Sequence, residues 1–264
     1  MIALVRRSFE RVVRPLLAIG VLLSAFQIAL IASASSIAAD GNVAGLAQLI
    51  PGFLHKSLGL ALVSFAGLTT LGFFDAVIVM IVVLFAIFLG TEPAGDIEAG
   101  YVDLILARPL PRHWIVSRSV FLMTASVAAL MLAMGLALWL ALAWLAPSGA
   151  VWPQANVVIT MAAHLTMVSL SFGAVGLAAA AWAKRRGSAM LAVGVAAMAL
   201  YLLDFLATMW KPIAGLARVS PFYYFHGGEI LAGTARAGLD LAVLSAITIG
   251  AIALAYWQHA RRDL

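Results

Sequence analysis

Residues 119–145, SVFLMTASVAALMLAMGLALWLALAWL, form a run of 27 residues that contains no charged side chain. A helix that crosses the hydrocarbon core of a bilayer needs about 20 mostly apolar residues, so this run is long enough to cross. The turn Ala-Pro-Ser-Gly at 146–149 follows, and a second apolar stretch extends from Pro153 to Ala183. Because the turn is short, the two stretches are predicted to form an antiparallel pair of membrane-spanning helices.

Four more stretches of comparable character complete the chain. They predict a first span at residues 16–39, a second at 72–89, a fifth at 188–209 and a sixth at 239–257. The first stretch exceeds the 7 to 15 apolar residues of a signal peptide, so we interpret it as a span. The 264 residues are 64% hydrophobic and 10% charged, whereas soluble domains carry about 25% charged residues. The sequence therefore predicts an all-α integral membrane protein, a single transmembrane domain over residues 1–264 with six transmembrane helices.

The basic residues indicate the orientation of these spans. Twelve of the 16 Lys and Arg residues fall at the two chain ends and in the loops after the second and fourth spans, and four fall on the other side. Loops rich in Lys and Arg remain in the cytoplasm, so both termini are predicted to be cytoplasmic. The same distribution accounts for the net charge of +5, and we expect no nucleic-acid partner.

Two segments outside the spans carry further expectations. Residues 1–14 alternate four arginines with apolar side chains, which predicts an amphipathic helix at the membrane interface that ends near Pro15. Residues 211–238 contain Gly, Pro and the pair Ser220-Pro221, which predicts an outer segment with short helices.

Residues 91–118 form the longest predicted cytoplasmic loop, and they hold four of the eleven acidic residues of the chain. Within this loop, Asp96 to Ala107 is predicted to form a short helix that Pro109 and Pro111 end. A short helix beside the membrane, joined to two spans, would act as a rigid lever. We expect such a loop to contact a partner.

The loop resembles the coupling segment of the ABC-2 family of ATP-binding-cassette permeases. The matching residues are Glu98-Ala99-Gly100, the helix Asp103-Leu104-Ile105-Leu106-Ala107, and Pro109 with Arg112. The stretch Ser220-Pro221-Phe222-Tyr223-Tyr224 is similar to the outer segment of that family before its last span.

The resemblance implies that the chain is the permease subunit of an ATP-driven transporter, in which a cytoplasmic coupling helix between spans 2 and 3 contacts a separate ATPase subunit. The ATPase-coupling residues that it implies are Asp96, Glu98, Gly100, Tyr101, Asp103, Leu104, Pro109 and Arg112. It further implies a second permease copy, identical or paralogous, surrounding membrane lipid, a place in the bacterial inner (plasma) membrane, and export as the direction. The chain contains no GxxxxGK[ST] phosphate-binding loop, so ATP and Mg are expected on the partner and no cofactor or catalytic site in this chain.

Five polar residues inside the predicted spans are candidates for a substrate path. Charged side chains are rare in lipid and need a partner or water, which singles out Asp75, His164 and Asp204. Thr160 and Ser171 lie four and seven residues from His164 and share its helical face. Helix-end and helix-pairing roles explain the same residues, so both interpretations stay open.

Two other functions compete with the permease. A membrane-embedded enzyme would need a nucleophile with a base or a metal cluster, but the sequence has no GxSxG, no HExxH and no cysteine. A secondary transporter would have internal repeats with interrupted helices, and we find no clear repeat. The sequence does not choose a substrate.

Overall fold

The computed structural model describes residues 2–39, 64–98, 113–183 and 185–261, and these residues contain helices and no strand. The α-helices of this part of the chain, numbered in order, are α1 (Ile2–Ala39), α2 (Phe65–Thr70), α3 (Ala76–Gly90), α4 (Glu92–Glu98), α5 (His113–Leu145), α6 (Ala155–Ala180), α7 (Arg186–Met209), α8 (Gly227–Leu231) and α9 (Ala237–Arg261). Short 3₁₀ helices occupy Leu71–Phe73, Lys211–Ile213, Leu216–Val219 and Pro221–Tyr224.

Six helical stretches of the described residues are long and apolar enough to cross a membrane. They are Arg11–Ala38, Phe65–Gly90, Trp114–Leu145, Ala155–Ala180, Arg186–Met209 and Ala237–Arg261. For the described residues, the prediction of helices without strands, six of them long and apolar enough to span a membrane, is therefore confirmed. The predicted bounds differ from the helices by a few residues at most ends, except in the first two spans.

The first helix differs from the prediction at Pro15. The sequence predicts an interfacial helix over residues 1–14 and a separate span from residue 16, but α1 is one continuous helix from Ile2 to Ala39 with Pro15 inside it. A proline removes one backbone hydrogen bond of a helix, and a neighbouring helix can hold the chain across the gap. Here α1 packs along α5, and Val12 and Leu23, on either side of Pro15, are buried.

The second span begins earlier than Gly72 and is interrupted there. Helix α2 passes into the 3₁₀ turn Leu71–Phe73, and α3 then starts with Asp75 as its N-terminal cap. The interruption fits against α1, because a Cβ atom at Gly72 would overlap the side-chain amide of Gln27. Gln27 is fully buried and donates a 2.6 Å hydrogen bond to the carbonyl oxygen of Thr69.

Helix α6 lies at the centre of the bundle, where it packs against α3, α5, α7 and α9. Its backbone approaches that of α3 closely. A Cβ atom at Gly90 would overlap the carbonyl oxygen of Gly173, and one at Gly173 would come within 2.9 Å of the carbonyl oxygen of Ala86. Close approach of two backbones at small residues is typical of helices packed in lipid.

The helix ends sort into two groups. At one end of the bundle, Arg11 of α1 contacts Asp96, and the hydroxyl of Tyr256 near the end of α9 lies 2.7 Å from the hydroxyl of Ser117 near the start of α5. The N-terminal part of α1 and the C-terminal end of α9 therefore lie on the same side of the bundle. We call this side the basic end, and the side that carries the 146–149 turn and the segment from Lys211 to Arg236 the opposite end.

Candidate functional site

Helix α4 begins one residue after α3 and turns the chain across the basic end. The hydroxyl of Thr91, the intervening residue, donates to the carbonyl oxygens of Ile87 (2.9 Å) and Phe88 (3.2 Å) in the last turn of α3. Pro93 occupies the first turn of α4, where no intrahelical N–H bond is lost. The sequence thus favours a second, short helix at this point, and α4 contacts α3, α5, α6 and α7.

Asp96 joins α4 to two other helices. Its carboxylate accepts a 2.5 Å hydrogen bond from Nη2 of Arg118 on α5 and a 3.4 Å hydrogen bond from Nη1 of Arg11 on α1. The side chains of Asp96 and Arg118 are only 8% and 6% exposed, whereas that of Arg11 is 47% exposed. The first contact is therefore a buried ion pair and the second a partly solvated one.

Glu98 joins α4 to α7. Its Oε2 atom accepts a 3.0 Å hydrogen bond from the backbone N–H of Arg186, the first residue of α7. The unpaired N–H groups at a helix N-terminus carry partial positive charge, so a carboxylate stabilises that end. Glu98 supplies this cap from a different helix.

Arg186 closes the remaining side of the cluster. Its Nη2 atom donates a 2.8 Å hydrogen bond to the carbonyl oxygen of Phe88, and its guanidinium lies 4.2 Å from the centroid of the Phe88 ring. Basic side chains satisfy the last carbonyl groups of a helix in this way. The Arg186 side chain also limits α4, because a Cβ atom at Gly95 would lie 2.9 Å from its Cδ atom.

These contacts, together with the neighbouring Glu92, define what we call the basic-end cluster: Arg11, Glu92, Asp96, Glu98, Arg118 and Arg186. A cavity of about 90 Å³ lies among Arg11, Glu92, Gly95 and Arg186. Glu92 itself is buried at 4% exposure. The cluster ties the ends of α1, α3, α5 and α7 to one short helix, so a displacement of α4 is resisted by four helices together.

The predicted ATPase-coupling residues fall partly on this cluster. Asp96 and Glu98 belong to it, and Gly100, Tyr101, Asp103, Leu104, Pro109 and Arg112 lie outside the described residues. The helix that the sequence places from Asp96 begins earlier, at Glu92, because Thr91 ends α3 and Pro93 suits a helix start. Its predicted continuation to Ala107 also lies outside the described residues.

Sequence reasoning counts Arg11, Arg118 and Arg186 among the basic residues at the span ends and predicts no contact between them and the acidic residues of the loop. It therefore missed their part in the cluster, although four acidic residues in one loop and basic residues at the neighbouring span ends are the compositional signal for such pairing. That signal does not say which acid meets which arginine.

The five candidates for a substrate path are not brought together. Asp75 caps α3, where its carboxylate accepts from the N–H groups of Val77 (2.9 Å) and Ile78 (3.3 Å). Asp204 lies 3.8 Å from Nε2 of His226, which joins α7 to the segment before α8. Both contacts are those of helix ends and helix pairing.

The three α6 candidates do not line one common cavity. Thr160 and Ser171 donate their hydroxyls to backbone carbonyls of their own helix, those of Asn156 and Val168, each at 2.7 Å. Thr160 lines one cavity of about 520 Å³ at the opposite end, whereas His164 lines a second cavity of about 510 Å³. Ser171 is fully buried. A path-lining role for these residues stays a prediction.

Compared with models of known protein families and with curated protein sequences, the chain gives no match. Among the described residues, no group of three or more His, Asp or Glu side chains is placed to hold a metal ion.

Proposed function

We propose that this chain is the permease subunit of an ATP-driven transporter similar to the ABC-2 permeases, with ATP and Mg bound by a separate ATPase subunit. The observation that carries the proposal is the basic-end cluster. The segment that resembles the family's coupling helix starts from α4, which is held by ion pairs and hydrogen bonds to α1, α5 and α7.

This arrangement suits the transmission of force. A partner that moves the segment after Glu98 acts on α4, and α4 cannot shift without displacing Arg118 and Arg186 or breaking their bonds. A loop attached only to its two adjoining spans would instead bend at its ends. The cluster therefore provides a mechanical link from a partner subunit to four of the six spans.

The rest of the proposal follows from the same resemblance. The basic end faces the cytoplasm of a bacterium, two permease copies pair in the inner membrane, and the substrate leaves the cell. The twelve-to-four distribution of basic residues supports the orientation.

The test is a pull-down of the tagged full chain from mild detergent, with identification of the recovered proteins and an ATPase assay. We expect a stoichiometric ATPase to be recovered with the wild-type chain and lost from the variant Asp103→Lys, which reverses a charge in the segment resembling the coupling helix. The control is Ser148→Lys, which adds a lysine to the exposed turn at the opposite end and should leave ATPase recovery unchanged.

Purification of the wild-type chain without any ATPase, under conditions that keep known complexes intact, would overturn the proposal. A membrane-embedded enzyme or a secondary transporter would then be the better hypothesis. Equal loss of the ATPase from both lysine variants would show that the loss reflects damage to the fold and would remove the support for a coupling segment.

A further inference from the structure

The cavity beside His164 lies at the opposite end of the bundle, away from the basic-end cluster. It has a volume of about 510 Å³ and lies between α6, α9 and the segment that contains α8. Pockets for small molecules in proteins span about 300 to 1,000 Å³, so the cavity has the size of a ligand site. Its lining includes His164, Arg218, Tyr224, Glu229, Arg236 and Asp240.

His164 forms part of the wall of this cavity. Its ring is 1% exposed and stacks against Phe225 with the ring centroids 6.3 Å apart. Nδ1 lies 2.7 Å from the carbonyl oxygen of Thr160, so Nδ1 carries the hydrogen and donates it. In the neutral ring Nε2 is then an acceptor, and it has no hydrogen-bond partner among the described residues.

An acceptor of this kind is costly to bury without a partner, by about 1 to 3 kcal/mol. Most buried polar atoms in folded proteins have a partner, so an exception calls for an explanation. Nε2 exposes less than 1 Å² of surface, so a donor of a bound molecule reaches it only when the ring turns toward the cavity.

Four charged side chains line the same cavity. Two are cations, Arg218 and Arg236, and two are anions, Glu229 and Asp240. Among the described residues none of these four forms an ion pair with another. His226, which also lines the cavity, is instead directed to Asp204 at 3.8 Å.

A cavity lined by two positive and two negative side chains discriminates by charge. A purely anionic ligand would be attracted by the arginines and repelled by the carboxylates, and a purely cationic ligand would meet the reverse. A ligand that carries both charges can satisfy both pairs. Two tyrosine rings, Tyr223 and Tyr224, add a further attraction for an ammonium group.

We propose that this cavity is a binding site for a small zwitterion that carries an ammonium group and an anionic group, with the charged side chains of the lining as its partners and the His164 ring as part of the wall. Such a group is found in the phosphoethanolamine head of a lipid and in free zwitterions of similar size.

The inference does not depend on an ATPase partner, since it concerns binding to this chain alone. The experiment is a calorimetric titration of the purified full chain in detergent with three probes: a short-chain phosphatidylethanolamine, free phosphoethanolamine, and a short-chain phosphatidylglycerol as the anionic comparison. We expect at least one phosphoethanolamine probe to bind at least about tenfold more tightly than phosphatidylglycerol.

Variants locate the site. Arg236→Gln and Glu229→Gln change exposed side chains, so the fold should survive, and each is expected to weaken binding about 3- to 10-fold. Arg185→Gln, an exposed arginine at the basic end, serves as the control and should bind as the wild type does.

The two phosphoethanolamine probes separate the sources. Binding of the lipid alone, reduced by the variants, supports a lipid headgroup, and equal binding of the free probe supports a soluble zwitterion. Phosphatidylglycerol bound as tightly as phosphatidylethanolamine would overturn the proposal, as would wild-type affinity in both Arg236→Gln and Glu229→Gln. A chain that recruits its ATPase and shows either result would lose only this inference and keep the proposed function.

Discussion

Removal of the Asp96 carboxylate tests the basic-end cluster most directly. Asp96→Ala leaves the Arg118 guanidinium, in a side chain that is only 6% exposed, without its carboxylate. Breaking a buried ion pair by removing one partner costs about 3 to 5 kcal/mol, because the remaining charge stays desolvated. Loss of the second contact, with Arg11, adds little to this cost, since the Arg11 side chain is 47% exposed and can turn to water. We therefore expect the free energy of unfolding to fall by about 3 to 5 kcal/mol.

A double-mutant cycle distinguishes the interaction energy of the Asp96–Arg118 pair from general damage to the fold. Arg118→Ala and Asp96→Ala/Arg118→Ala complete the cycle, and the double variant should lose far less than the sum of the single losses. Asp96→Leu/Arg118→Met fills similar space with apolar groups and should return to within about 1 or 2 kcal/mol of the wild type, because two desolvated charges are removed together.

The assay is reversible unfolding of the purified chain in mixed micelles, followed by circular dichroism as the fraction of denaturing detergent rises. Arg185→Ala is the control, because that side chain is exposed, and its effect should stay within about 0.5 kcal/mol. If Asp96→Ala were no more destabilising than this control, or if the two single variants were additive, the buried pair would not exist as described.

Three further predictions use the same assay. Gly90→Ala should destabilise the fold by about 1 to 3 kcal/mol, since its Cβ would overlap the backbone of Gly173. Gly176→Ala meets only ordinary contacts at 3.5 Å and should be neutral or stabilising by up to about 1 kcal/mol. Equal effects of the two variants would refute the close approach of α3 and α6. Asp75→Ala should lower the free energy of unfolding by about 0.5 to 2 kcal/mol because α3 loses its N-terminal cap, and Asp75→Asn should lower it much less. Loss of transport in a variant that keeps wild-type stability would instead favour a path-lining role for Asp75. Glu98→Ala should lower the free energy of unfolding by about 0.3 to 1 kcal/mol because α7 loses the N-terminal cap that Glu98 supplies from α4, and Glu98→Gln should have an intermediate effect. Wild-type stability in Glu98→Ala would show that Glu98 does not act as this cap.

The spans were predictable because lipid imposes a simple length rule. Residues 119–145 have the required length with no charge, and in the structure they form most of α5. Departures occur where local chemistry and packing compete. Pro15 should end a helix by its local effect, but the packing of α1 on α5 keeps the helix continuous.

The candidate site was less predictable, for a physical reason. Charge counts along the chain predict that acids and arginines will meet at the basic end, but the choice of partner depends on how α1, α5 and α7 are arranged around α4. The same limit applies to His164. Its position on α6 follows from spacing, while the cavity beside it depends on segments more than 50 residues away in the chain.

The inward direction of Asp96 changes how a loss of transport should be interpreted. A buried carboxylate with two arginine partners is not available to a second subunit, so under the proposed function Asp96 transmits motion and does not dock the ATPase. Asp96→Leu/Arg118→Met separates the two roles, because it restores stability without the ion pair. If that variant recruits the ATPase but does not couple hydrolysis to transport, the directional bond between α4 and α5 is what carries the motion. If it couples normally, packing alone is enough, and the residues that dock the partner must be sought in the segment after Glu98.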